Sequence, residues 1–139
     1  MKRVLALLPA LLSCCGGLTG STPVVRVPDG AWGGQHVAVS VSTSGADLEF
    51  DCAHGHIGGA IAVDEMGRFD VEGLYASVGG PAITPPVDPH AARYRGSTDG
   101  RALTFTVIVP DPGFTAGPFT VTLGTPAHVF RCLAADPSR

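Results

Sequence analysis

Charge is scarce in this chain. Only 15% of its 139 residues are Asp, Glu, Lys or Arg, and they leave a net charge of −3 with no basic surplus. A partner for nucleic acid needs a positive stripe, so that class is excluded. Aromatic residues are few as well, at 6%. Apolar runs at helical spacing are missing, and so is any internal repeat. No nucleophile elbow, phosphate loop, zinc-protease helix or triad spacing is present, so the sequence predicts no enzyme. No apolar stretch is long enough to span a bilayer as a helix. What is abundant is Gly (19) and Pro (12), with 45% apolar content. That mixture predicts a folded chain of short strands joined by many turns.

The first residues form an export address. Met1-Lys2-Arg3 is positive, and Val4 to Leu12 is a short apolar region interrupted by Pro9. The run Leu11-Leu12-Ser13-Cys14 resembles the lipobox of bacterial lipoproteins, in which the cysteine is acylated and becomes the new N-terminus. The resemblance implies lipidation at Cys14 and a domain lying on a membrane without crossing it. The other reading is an ordinary secretory signal cut near Gly20, giving a periplasmic or secreted protein. Residues 1–14 are therefore the signal, 15–29 a small, polar, proline-punctuated tether, and 30–135 the folded domain.

Alternation and turn punctuation divide that domain into about eight strands. They are expected at Gln35–Thr43, Ala46–Cys52, Ile57–Val63, Arg68–Ser77, Ala91–Thr98, Arg101–Val109, a segment around Phe119–Leu123, and His128–Leu133. Val37, Val39 and Val41 share one face, as do Leu48 and Phe50, and Leu103, Phe105, Val107 and Val109. Pro110 to Gly117 is expected as a loop, and the proline-rich Gly79 to His90 as a long one. One apolar face per strand needs a shared interior. Closing the sheet buries that face and removes the edges, so the predicted fold is a small antiparallel up-and-down β-barrel, with a β-sandwich as the alternative.

Cys52 and Cys132 are the cysteines of the domain. Export implies oxidising conditions, so they are expected to form a disulfide. In an up-and-down meander both lie at the end where Gln35 opens the first predicted strand, which is also the expected Trp32 end.

Gly30-x-Trp32 before the first strand, with Arg131 near the end of the last, resembles the lipocalin and wider calycin signature. The resemblance implies that Trp32 plugs a barrel end and that Arg131 packs on its ring by a cation–π contact. The runs W-G-G-x-H, F-D-C-A-x-G, G-R-F-D-V-x-G, A-R-Y-x-G and F-R-C-L resemble a set of small exported bacterial proteins, for which the resemblance implies no activity. Phe50-Asp51-Cys52 and Ala92-Arg93-Tyr94 resemble elements of membrane-bound bacterial lysozyme inhibitors, which implies a host-enzyme partner as an alternative function.

Three sets of side chains are candidates for chemistry. His54 and His56, two apart on a strand, could begin a copper or zinc site, with a third ligand from His36 or Asp51; the alternative is a pair of surface histidines and no cofactor. Arg93 and Arg95 could clamp an anion, or pair across strands with Asp70 and Glu72. The loop from Gly79 is a candidate recognition surface. The expectation is a lipid-anchored protein of the cell envelope, at the outer membrane or cell surface. Its barrel would have a binding or structural role toward an unknown small ligand or protein.

Overall fold

Valine alternation builds the first wall of the molecule. Val37, Val39 and Val41 are 0%, 3% and 5% exposed, while Ser40 and Ser42, alternating with them, face out. In the computed structural model, which describes residues 25–78, 88–130 and Cys132, this pattern repeats around the sheet. The strands are β1 (Gly30–Gly34), β2 (Val37–Ser42), β3 (Gly45–Phe50), β4 (Ala53–Gly58), β5 (Arg68–Ser77), β6 (His90–Thr98), β7 (Ala102–Val109) and β8 (Phe114–Leu123). Each pairs antiparallel with the next, and β8 pairs with β1, giving a closed eight-stranded barrel. No helix occurs among the described residues.

The closing seam is short. β1 and β8 meet at Trp32↔Leu123, Gly33↔Thr122 and Gly34↔Val121. The β5–β6 seam, by contrast, holds register from Arg68↔Ser97 to Tyr75↔His90.

The interior is filled by Val, Leu, Ile and aromatic side chains from all eight strands. Each such side chain contributes about 1.5–3 kcal/mol by leaving water. Tyr94 lies across the middle at 0% exposure, and its hydroxyl donates to the Leu74 carbonyl at 2.7 Å. It has room because Gly55 faces it from β4; a Cβ there would collide with the phenol oxygen. Burial pushes the Tyr94 hydroxyl well above the usual tyrosine range, so it stays a protonated donor.

Several strand boundaries differ from the sequence expectation. The opening strand is Gly30–Gly34, which joins β2 through Gln35 and His36. The expected strand at Ile57–Val63 is displaced to Ala53–Gly58. β8 starts at Phe114, inside the expected loop. Its Gly117 and Pro118 stand opposite Thr106 alone, between the pairs Phe105↔Phe119 and Val107↔Ala116. That bulge lets a proline sit in a paired strand. Of the expected final strand at His128–Leu133, the described residues 128–130 and Cys132 form no strand; His128 makes a single parallel bridge to Gln35.

The end of the barrel where β1 begins is closed by apolar packing. Arg26 bridges Ala62, and Val27 N–H donates to the Ile61 carbonyl at 2.9 Å. Val27 and Ile61 are thereby buried to 0% and 3% exposure. The stretch Val25–Asp29, expected as the end of a tether, is thus part of the domain. Trp32 is 1% exposed inside the barrel, and its indole donates to Pro28 O at 3.1 Å, at this same end. Arg131, the expected partner of the ring, lies outside the described residues.

Candidate functional site

After Leu123 the chain turns back and runs along the outside of β1 toward the opposite end. Gly124 N–H donates to Ala31 O at 2.8 Å, and His128 N–H to Gly34 O at 2.9 Å. The backbone of Thr125 to Ala127 lies so close over Gly33 that any side chain there would strike it. The segment is a strap, and it ends on two adjacent hairpin corners.

The first corner is Gln35–His36, between β1 and β2. The second is Asp51–Cys52, between β3 and β4. His36 has φ +66° and Cys52 φ +58°, a backbone region that residues other than glycine seldom occupy. Both are tied to the strap. His36 N–H donates to His128 O at 2.7 Å, and the Phe130 ring lies 5.8 Å from the imidazole. Cys52 is bonded to Cys132, with their Cα atoms 4.9 Å apart and a separation of 80 in sequence.

Asp51 joins the corners. One carboxylate oxygen accepts from Phe130 N–H at 2.7 Å; the other lies 2.5 Å from His36 Nδ1. The Phe130 amide first, and His36 second, hold the Asp51 carboxyl below its usual range. The disulfide therefore forms as expected, next to Gln35, but not at the indole's end. Trp32 donates its N–H toward Pro28, at the far end of β1.

The other candidates fall elsewhere. On β4, Ala53, Gly55 and Ile57 are buried while His54, His56 and Gly58 are exposed, so the two histidines share the outer face. His56 Nδ1 lies 2.8 Å from Asp47 Oδ1, and His54 stands in register with Glu49. His36 and Asp51, the expected sources of a third metal ligand, lie instead at the hairpin corners, 2.5 Å from each other. Among the described residues no group of three or more His, Cys, Asp or Glu is placed to hold a metal ion.

Arg93 and Arg95 stand on the outer face of β6 and share one carboxylate. Arg93 Nε reaches Asp70 Oδ1 at 2.5 Å and Arg95 Nε reaches Oδ2 at 3.1 Å. Arg93 foremost, then Arg95, lowers the Asp70 carboxyl below its usual range. Arg93 also stands in register with Glu72. Two cations matched by two anions leave no surplus charge for an anionic ligand.

Open hollows lie on the outside of the barrel. One of about 360 Å³ borders the disulfide, between Phe50, Cys52, His54, Val78 and Cys132. A trough of about 410 Å³ runs over Ala31, Ala38 and Ser40, with the strap on one side and Asp47, Glu49 and His54 on the other. One space within the core, between Val39, Leu48, Ile57, Tyr94 and Phe105, measures about 10 Å³. Residues 79–87 of the expected recognition loop, and Cys14, lie outside the described residues.

The joined corners were not visible as a unit in the sequence. In the sequence His36 and Asp51 stand only as alternative third metal ligands, and the signal that links them is that each sits in a two-residue connection beside an apolar alternation. No family model, curated protein or solved structure matches this chain.

Proposed function

We propose that this chain is an exported envelope protein, anchored by lipid at Cys14, whose barrel is a rigid scaffold that binds through its outer surface. The observation that carries the scaffold reading is the filled interior. A cavity for a small apolar ligand measures about 300–1,000 Å³, whereas the space between the core side chains Val39, Leu48, Ile57, Tyr94 and Phe105 is about 10 Å³. A small ligand held inside the barrel is therefore not favoured. The address rests on the run Leu11-Leu12-Ser13-Cys14, and a disulfide in the folded domain is in keeping with an oxidising compartment.

Among the described residues every strand has a hydrogen-bonded neighbour on each side, which leaves little strand edge to offer a partner. Recognition is thus left to side chains on the outer wall and to the hollows beside the strap. No catalytic step is assigned to these residues.

Intact mass spectrometry of the protein extracted from membranes tests this reading. The expected result is a chain beginning at an acylated Cys14, with no stoichiometric apolar molecule bound. A soluble, unacylated chain cut beyond Cys15 would overturn the anchor. A co-purified apolar ligand would overturn the scaffold.

A further inference from the structure

We propose that His54 and His56 form a two-histidine chelate on the outer wall of the barrel for a divalent transition-metal ion, copper(II) above all. The site is independent of the envelope address and goes beyond the scaffold role.

The argument starts with the strand. β4 alternates buried and exposed from Ala53 to Gly58, which sends both imidazoles out of the same face. Residues two apart on a strand stand roughly 6.8 Å apart along its axis. Two imidazoles leaning toward each other span that distance around one metal ion. The strand is paired on both sides, with β3 and β5, so the two histidines are mounted on a rigid element.

The neighbours favour a cation. Across β3, His56 faces Asp47 and His54 faces Glu49. On the β5 side, His56 is opposite Leu74 and His54 opposite Ala76, so no positive side chain stands in register with either. Asp47 has a second effect. Its carboxylate accepts from His56 Nδ1 at 2.8 Å, which puts the ring proton on that nitrogen. The lone pair is then on Nε2, turned away from the Asp47 contact. A carboxylate on one imidazole nitrogen is the partner that metal-bound histidines commonly have on their other nitrogen.

Two protein ligands leave the remaining positions to water, so the metal is exchangeable. Copper(II) accepts such a nitrogen and oxygen set in tetragonal geometry and stands above nickel and zinc in affinity.

Titration of the purified protein with copper(II) alone, followed by calorimetry and electron paramagnetic resonance, tests the site. The expected result is one ion per chain, with the magnetic signature of two imidazole nitrogens. His54→Ala and His56→Ala should each weaken binding about a hundredfold, as expected when one arm of a linked pair is removed. Asp47→Asn should weaken it about tenfold or more. His90→Ala and His128→Ala should leave it unchanged. All five side chains are at least partly exposed, so the variants retain the barrel. Absence of copper binding, or binding that survives the double substitution His54→Ala with His56→Ala, would overturn the proposal.

Discussion

The two ends of the barrel are closed by different physics. Where β1 begins, Val27, Ile61 and the Trp32–Pro28 contact seal the end by burial and a short backbone ribbon. Where β1 ends, a covalent bond and the Asp51 carboxylate pin the strap across two strained corners. The first closure depends on excluding water and is indifferent to redox state. The second depends on oxidation and on the charge of one exposed carboxylate.

Reduction gives the sharpest test of that difference. A disulfide closing 80 residues contributes about 4.5 kcal/mol through the unfolded chain in the loop-entropy account. Cys52→Ala, or reduction in place, should lower stability by about that much and free the strap to proteolysis near Phe130. Urea unfolding and limited digestion would check it. Equal stability with and without the bond would mean that the strap is held chiefly by its hydrogen bonds.

A smaller loss is expected at the other end. Ile61→Ala should cost about 3 kcal/mol, the usual range for emptying a buried aliphatic site. It should leave the strap's protection against digestion unchanged, and the same urea and protease measurements would show this. If Ile61→Ala instead exposes Phe130 to cleavage, the two closures are coupled through the barrel and the contrast drawn between them fails.

The mildest effect is that of pH. The Phe130 amide first, and then His36, lower the Asp51 carboxyl in the folded state. Asp51 therefore favours folding above the unfolded carboxyl value of about 3.9, and that contribution is lost as pH falls through the depressed folded value. Amide exchange at Phe130 should quicken below about pH 4 while exchange at Val27 does not. Asp51→Asn should abolish this difference in acid response.

The wall of the barrel was legible in the sequence because its cause is local. Valine, leucine and phenylalanine at every second position give β2, β3, β7 and much of β5 their inward face wherever they pair. The closures were harder to read because their causes are distant in the chain. Gly30–Gly34 carries little alternation, and it is a strand because Val37–Val41 and Val121–Leu123 flank it. Val25–Pro28 looks like a tether until Ile61 is laid against it. His128–Leu133 has the residues of a strand, but among its described residues His128 makes one bridge beyond β1 and Cys132 a disulfide. Cys52 and Cys132 were paired from chemistry alone. The neighbouring His36–Asp51 contact needs two hairpin corners side by side, which no spacing along the chain encodes.

The overlay of the strap on β1 has a mechanical consequence. A tug applied at Cys132 is transmitted through sulfur to the corner between β3 and β4, bypassing β8. The short β1–β8 seam is spared the peeling force that a free C-terminal strand would suffer. The molecule can bear load from its rear without unzipping at its weakest join.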